Sequence, residues 1–556
     1  MATTIKNASL VSMPSEIIHE ICSWFGFTGD VASFARVCKS LNPIVSPLLY
    51  RTILVEISPG EGIHIRYLNS LLRGRSASQR NNMKSIRTFG LIGKLHPGPG
   101  IPATSRLIVD HALFHFQLIL EAIDNDIVTK FIWDTDITLN EETQRALVLK
   151  QKKINSLTIY QYPAPSTHGS HPNWIIFDIG PLTTIHVEGI NSVPLLQAII
   201  SAIERDHEIL AHIGLGFYPI IISTLKVLTR HSRHKAAHGA KDAEIIQFPA
   251  LGSIQIGGIS DWDDFVSTSK LKILKFEAWQ GIKQLSMEHT GSANSLIDAL
   301  ETHMIRPTSL KLLLTDPASV PRLCSYLENS KGLVEVCLRL SGQPAPNTSF
   351  SINFTKSSKT LRRLFLSWRH ENRQYPSNKA YMESLSTLEV LEELAVAYHG
   401  SKIPKFAEDK FPALKHLWLL DINGDFTPVP RTQPPIAINR ARPAMAGEGP
   451  VVNFQEIYNR YLIQAVLPPK VRILSLGQVY HELDAVRPAI IMAVCNHQMP
   501  WPMPWVGLVT ITLTRRTFER YYKGFGLFQM VESQYFRDLQ IRPDVKQKDG
   551  DKGPSL

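Results

Sequence analysis

Histidines are the first residues in this sequence whose type and spacing could support chemistry. His111 and His115 are four residues apart, a spacing that places both rings on one face of a helix and occurs in zinc sites. The intervening residues 112–114 are Ala, Leu and Phe, so the pattern lacks the glutamate that a zincin uses as its general base. We therefore exclude a zinc protease of that class.

The remaining chemical patterns are weaker. A second histidine group could gather a metal ion, but it has no cysteine nearby and lies in a basic stretch, so we interpret it as a solvated loop: His231, His234 and His238. The segment GLIGKL, which begins at Gly90, lacks the glycine spacing and the Ser/Thr of a phosphate-binding loop. No G-x-S-x-G nucleophile elbow is present. We predict no catalytic residues, no metal, no cofactor and no enzymatic activity, and keep an unrecognised enzyme as the last alternative.

The cysteines indicate the compartment. They are odd in number, scattered and without a C-x-x-C pair, which argues against a disulfide framework and favours a reducing environment: Cys22, Cys38, Cys324, Cys337 and Cys495. The opening segment MATTIKNASL has no signal-peptide profile, and no run of apolar residues is long enough to span a membrane. We expect a cytoplasmic and/or nuclear protein that does not associate with a membrane.

Length and charge narrow the class of protein. A chain of 556 residues predicts two or more units or an elongated array. The net charge of +10 lies downstream of residue 57, because acidic and basic residues balance before it. A basic surface is compatible with acidic partners or nucleic acid. Since no nucleic-acid-binding motif accompanies the charge, we expect an ordinary solvated surface and keep nucleic-acid binding as an alternative.

Residues 1–57, which we call the head, are crowded with apolar residues. Ser12 is a candidate N-cap, and Pro14 suits the first helical turn because its missing N–H has no partner there. The apolar residues that follow recur at helical spacing: Ile17, Ile18, Ile21 and Phe25. Such short helices have little room for a core of their own, so we expect the head to bury part of its surface against something else. The open alternative is a helical cap on the rest of the chain.

Two more helices and a strand complete the predicted head. Asp30 is the N-cap candidate of a second helix, which Pro43 ends and whose apolar positions are Val31, Phe34, Val37, Cys38 and Leu41. A third short helix is expected over residues 47–51. Residues 52–57, TILVEI, predict a strand by their β-branched content.

Two segments of the head resemble the F-box domain. MPSEIIHEI, from Met13, stands where the family has Leu-Pro-x-Glu-Ile/Leu, and RVCKSLNPIVSPLLYRTI, from Arg36, resembles its second half, with the Leu-Tyr-Arg ending common in fungal members. The resemblance implies binding to the S-phase-kinase-associated adaptor of cullin–RING ubiquitin ligases. The adaptor-contacting positions that it implies are Met13, Pro14, Ile17, Ile18, Ile21, Val37 and Cys38.

Two departures from the family pattern bear on this expectation. Met13 replaces the usual leucine, a change of shape that an apolar pocket tolerates. Leu41 stands where many members have tryptophan, which could weaken the affinity for the adaptor. The departure at Leu41 motivates an alternative function, an interaction scaffold without a role in a ligase.

A six-residue motif recurs through the rest of the chain, with apolar residues at its first, fourth and sixth positions. The copies begin at Ile86, Val128, Ile154, Leu182, Leu210, Leu251, Leu271, Leu310, Leu333, Leu361, Leu391, Leu414 and Val471. Their spacing resembles that of leucine-rich repeats, in which each copy is a strand whose alternate side chains enter a shared core. Amphipathic stretches at 193–209, 294–305 and 320–330 predict helices between the strands. The asparagine of regular repeats is largely absent, so we expect an irregular solenoid.

The predicted architecture is therefore α/β, a three-helix F-box-like head at 1–57 followed by a divergent leucine-rich-repeat-like solenoid at 58–485. We expect loops at 226–242, which is basic, and 426–450, which is rich in proline. Residues 486–556 are expected to form a C-terminal cap and a disordered tail. The function that this organisation predicts is substrate recognition in an SCF-type ubiquitin ligase, with the solenoid binding a protein target whose identity the sequence does not give.

Overall fold

The computed structural model describes part of the chain, which divides into two compact units, Met1–Tyr326 and Leu327–Leu556. The described residues are 13–23, 28–58, 62–63, 83–93, 106–161, 173–217, 247–258, 279, 281–290, 293–314, 316–341, 352–369, 385, 387–396, 410–419, 473–476, 490–494 and 508–511. Both predicted loops, the histidines of the first loop and the tail from Val545 lie outside the described residues.

The head consists of the three helices α1 (Ser15–Ser23), α2 (Thr28–Ala35) and α3 (Asn42–Leu49). Their number agrees with the prediction, but the predicted bounds of the second and third helices are wrong. The N-cap candidate Asp30 lies inside α2, which begins at Thr28, and α3 covers Asn42–Leu49 instead of residues 47–51. The second helix ends at Ala35, and Pro43 lies at the start of α3 instead of ending α2. A proline suits that position because the first N–H groups of a helix have no intrahelical acceptor.

A parallel sheet forms the first unit. Its strands are β1 (Thr52–Ser58), β2 (Gly62–Ile63), β3 (Thr88–Gly93), β4 (Lys130–Thr135), β5 (Ser156–Gln161), β6 (Thr184–Ile190), β7 (His212–Phe217), β8 (Ser253–Gly257), β9 (Gln284–Thr290) and β10 (Ser309–Leu314). Apart from β2, which is antiparallel to β1, each strand pairs in parallel with the next in chain order. The strand predicted at 52–57 is confirmed, and it begins this sheet.

One backbone contact repeats between consecutive parallel strands. The Arg87 oxygen accepts hydrogen bonds from the N–H groups of Thr129 and Lys130 at 2.8 and 2.9 Å. The Thr129 oxygen accepts from Asn155 and Ser156 in the same way, at 2.9 and 3.1 Å. The doubled bond recurs up to β10, always at the second position of the motif. It fixes the register, so that the apolar positions of successive copies face one another.

The register corrects two of the predicted copies. β9 contains the last four residues of a motif copy at 282–287, IKQLSM, which was not predicted from the sequence. The copy placed at Leu310 begins three residues earlier, at Pro307, because Leu310 pairs with Leu285. A methionine and a proline stand at motif positions where leucine is usual, which hid both copies. The copy predicted at 271–276 lies outside the described residues.

Helices lie between the strands of this unit: α4 (Arg106–Ala122), α5 (Glu141–Lys150), α6 (Val193–Arg205) and α7 (Asn294–Thr302). The helices predicted from residues 193 and 294 are confirmed. The core lies between helices and sheet, since the fourth and sixth motif positions are buried in each described copy of the unit. Phe116 of α4 illustrates the packing: its ring stacks on Phe89 at a centroid distance of 4.8 Å and meets Trp133 edge-on at 5.3 Å.

The second unit contains a shorter parallel sheet. Its strands are β11 (Glu335–Ser341), β12 (Arg363–Arg369), β13 (Glu393–Val396), β14 (His416–Leu419) and β15 (Ile473–Leu476), followed by the antiparallel strands β16 (Ile490–Val494) and β17 (Leu508–Ile511). The predicted helix at 320–330 is confirmed as α8 (Val320–Asn329), which crosses the boundary between the units. The protein is therefore α/β. None of its described helices has the length and apolar content needed to cross a bilayer.

Candidate functional site

The head is held together by a small apolar cluster, which we call the head cluster: Ile18, Cys22, Ala35, Leu41 and Val45. Each of the three helices contributes to it, with Leu41 standing immediately before α3. These side chains are at most 5% exposed. Burial raises the pKa of the Cys22 thiol, as expected for a thiol in apolar surroundings. The cluster consists of a few residues only, which is the expected limit for helices this short.

Polar contacts fix the helices around this cluster. The ring Nε2 of His19 on α1 lies 3.0 Å from the Ile44 oxygen on α3. The Asn42 amide donates to the Ala35 oxygen at the end of α2, at 3.4 Å, and accepts from the Ser46 hydroxyl at 2.9 Å. These contacts connect α3 to α1 and α2. They therefore fix the relative positions of the helices that carry the exposed residues of the head.

Three of the predicted adaptor-contacting residues are exposed. Pro14 opens α1, and its carbonyl accepts hydrogen bonds from the N–H groups of Ile17 and Ile18 at 3.1 and 3.2 Å. The Ile17 side chain is 49% exposed. Val37, in the turn after α2, is 69% exposed. These three residues leave apolar area on the head available to another molecule.

The other predicted positions differ in exposure. Met13, Ile21 and Cys38 are half-buried, and Met13 and Cys38 pack against the head cluster. Ile18 is fully buried inside that cluster, so it supports the surface instead of forming it. Leu41, the residue in place of the family's tryptophan, is 1% exposed and also belongs to the cluster. We define the head surface as the six remaining positions: Met13, Pro14, Ile17, Ile21, Val37 and Cys38.

The sheet of the first unit presents a second, polar surface. Residues at the third and fifth motif positions point away from the buried apolar positions, on what we call the outer face. The third position is polar on every parallel strand: Thr52, Thr88, Lys130, Ser156, Thr184, His212, Ser253, Gln284 and Ser309. The sequence prediction considered only the apolar positions and therefore did not include this row. The alternation of apolar and polar residues is nevertheless visible in the sequence.

The chemical patterns of the sequence are also placed by the fold. His111 and His115 share a face of α4 as predicted, with ring centroids 4.7 Å apart. Burial lowers the pKa of His115, and the neighbouring His111 lowers it further. Within the described ranges, no group of three or more His, Cys, Asp or Glu side chains could hold a metal ion. The four described cysteines are free thiols.

A charged row crosses the sheet of the second unit. Glu335, Arg363, Glu393 and His416 occupy facing positions on β11 to β14. The Arg363 guanidinium pairs with the Glu335 carboxylate, and its Nε donates to Glu393 Oε1 at 3.1 Å. His416 is fully buried, and this burial lowers the pKa of its ring to about 3. The ring is therefore neutral at physiological pH.

His416 makes the second unit sensitive to acid. In the unfolded chain its ring takes up a proton below about pH 6.5, whereas the folded protein resists until about pH 3, so stability is lost as the pH falls between these values. We expect the free energy of unfolding to fall by about 2 kcal/mol more in the wild type than in His416→Leu between pH 7 and pH 5. Urea unfolding at both pH values measures this. His19→Leu, at an exposed histidine of the head, is the control and is expected to keep the wild-type loss. Equal losses in wild type and His416→Leu would contradict the prediction.

No protein-family model matches the chain, and no curated protein matches it either. The two surfaces and the residues of the head that resemble the F-box domain are therefore the features that bear on function.

Proposed function

We propose that this protein is the substrate-recognition subunit of a cullin–RING ubiquitin ligase of the SCF type. In this proposal the head is an F-box domain that binds the S-phase-kinase-associated adaptor, and the repeats form a divergent leucine-rich-repeat solenoid that binds the target. Such a subunit acts by binding and has no catalytic residue of its own. It acts in the cytoplasm or the nucleus.

The exposure of Pro14, Ile17 and Val37 carries the proposal. A helical cap on the sheet would bury these three side chains, and they are instead open to solvent on a head whose own core is filled by other residues. Full burial of an Ile or Val side chain contributes about 1.5–3 kcal/mol. Ile17 and Val37 are 49% and 69% exposed, so a partner that covers them gains about 1–2 kcal/mol from each. The residue types at these positions are also those of the resemblance to the F-box domain.

The sheets support the second half of the proposal. The doubled backbone bond brings successive motif copies into register in both units, as stacked repeats require. In the first unit, the outer face offers a polar row on consecutive parallel strands, and loops and strand faces of this kind provide long binding surfaces in repeat proteins. The departure at Leu41 weakens the proposal less than the sequence alone implied, since this side chain fills the head cluster and is not exposed.

Recovery of the adaptor in a pull-down tests the proposal. The full chain is expected to recover the adaptor, and a chain lacking residues 10–51 is expected to lose it. Mass spectrometry of the same samples then identifies proteins that remain bound through the repeats. Adaptor recovery that is unchanged by the deletion would overturn the proposal. A full chain that recovers other partners but never the adaptor would favour the scaffold.

A further inference from the structure

Four polar side chains on β6, β7 and β8 form a connected chain on the outer face of the first unit. The Ser253 hydroxyl oxygen lies 2.9 Å from His212 Nδ1, and His212 Nε2 lies 3.4 Å from His186 Nδ1. His186 Nε2 in turn lies 2.9 Å from Glu188 Oε1. We call this chain the histidine relay. Its members come from three different motif copies, so no local pattern in the sequence indicates it.

Two glycines of β7 make room for the relay. A Cβ atom at Gly214 would lie 2.2 Å from His186 Nδ1, and one at Gly216 would lie 3.1 Å from Glu188 Cγ. The side chains of β6 therefore lean over the backbone of β7. The rings of His186 and His212 are stacked, with centroids 5.7 Å apart and planes 6° from parallel. Side chains from three strands and the glycines beneath them are thus fitted to one another.

The order of hydrogen-bond donors in the relay follows from its acidic end. A carboxylate only accepts, so His186 donates through Nε2 to Glu188, and in the neutral form of the ring Nδ1 is then left to accept. His212 then donates through Nε2, and its own Nδ1 accepts the proton of the Ser253 hydroxyl. This order requires a neutral His212. Burial lowers the pKa of His212 to about 4, and the charges of His186 and Lys130 add to the effect, so the ring is neutral at pH 7.

The accessible end of the relay presents acceptors. With its proton directed at His212, the Ser253 oxygen offers its lone pairs to a ligand. Gln255, two residues along β8 on the same face, directs its Nε2 towards Glu188 Oε1 at 3.4 Å, which leaves its Oε1 to accept. Ser253 and Gln255 are half-exposed, whereas His186 and Glu188 are only 7% and 5% exposed. A buried network thus orients two accessible oxygen acceptors.

We propose that Ser253 and Gln255 form a subsite of the target-binding surface and bind a donor-only basic side chain, arginine or lysine, of the protein target. This inference rests on the proposed function, for which it specifies the chemistry of the target. A guanidinium or an ammonium group carries several N–H donors and no acceptor, which complements two oxygen acceptors on one strand. A carboxylate in the same place would face these two acceptor oxygens, and the second N–H of the Gln255 amide would be the one donor that the two side chains offer it.

Binding of labelled peptides to the full chain tests the subsite directly. The probes are fluorescein-labelled Gly-Ser-Gly-X-Gly-Ser-Gly peptides in which X is arginine, lysine, citrulline or glutamate, and fluorescence anisotropy at pH 7 gives the Kd. Citrulline has nearly the shape of arginine without its charge. The variants are Ser253→Ala and Gln255→Leu. Ser156→Ala is the matched control, since Ser156 is a half-exposed hydroxyl residue in the same row on β5.

The arginine or lysine peptide is expected to bind at least tenfold more tightly than the citrulline and glutamate peptides. Ser253→Ala and Gln255→Leu are each expected to weaken that binding about tenfold, as for the loss of one hydrogen bond to a charged group, whereas Ser156→Ala leaves it unchanged. Equal binding of the four peptides, no binding by any of them, or equal losses in all three variants would overturn the proposal. The adaptor is absent from this assay, so its outcome is distinguishable from a failure of the head to bind the adaptor.

Discussion

Replacing Ile17 and Val37 together by aspartate is expected to abolish adaptor binding by the full chain while the head stays folded. Both side chains are exposed, at 49% and 69%, so the folded protein loses little when they change. In a complex each would contribute about 1–2 kcal/mol by burial of its exposed part, and a buried unpaired carboxylate adds a further cost. We expect the affinity to fall at least about a hundredfold. Isothermal titration calorimetry with the purified adaptor measures it, and circular dichroism checks the fold.

The matched control for this experiment lies on α4. Leu107 and Phe114 are 74% and 53% exposed, apolar and outside the head. Their double replacement by aspartate places the same charges on the same protein and is expected to leave adaptor affinity unchanged. Ile18→Asp gives the opposite contrast, since it places a charge in the head cluster and unfolds the head. Adaptor affinity within a few-fold of wild type in the Ile17 and Val37 variant would contradict the assignment of the head surface.

Gly189→Ala is expected to destabilise the sheet of the first unit strongly. Gly189 lies in β6 with φ of +77°, in the left-handed region that side chains rarely adopt. A Cβ atom there would lie 1.7 Å from the Gln161 oxygen of the neighbouring strand, so the backbone of β5 or β6 must shift. Strained φ and overpacking together predict a loss of about 2–5 kcal/mol in the free energy of unfolding, measured by urea titration.

Two other glycines separate these causes. Gly281 has φ of +91° but no atom within 4 Å of its Cβ position, so Gly281→Ala is expected to cost only the backbone strain, about 1–2 kcal/mol. Gly252 does not have a positive φ, and the nearest atom to its Cβ position is 4.0 Å away. Gly252→Ala is therefore expected to be nearly neutral. The loss in the free energy of unfolding is expected to increase from Gly252→Ala to Gly281→Ala to Gly189→Ala. Equal losses at Gly189 and Gly281 would show that the sheet relaxes around the new methyl group.

The sequence by itself determined the repeating sheet. Apolar residues two apart, such as Phe131 and Trp133, must share one face of a strand, and their return in copy after copy predicts strands that share one core. The same local logic predicted α6, α7 and α8, because amphipathic periodicity is a property of consecutive residues. It failed where a methionine or a proline occupied a motif position, as in residues 282–287 and at Pro307.

Only the tertiary structure decided which side chains are exposed and which meet. Ile17 and Ile18 are adjacent and of one type, yet one is half open to solvent and the other fills the head cluster, because burial depends on α2 and α3. Gln255 bonds to Glu188 of the histidine relay, 67 positions away in the sequence, through register and the space above two glycines. Such contacts depend on how the strands pair across the sheet. No stretch of neighbouring residues specifies that pairing.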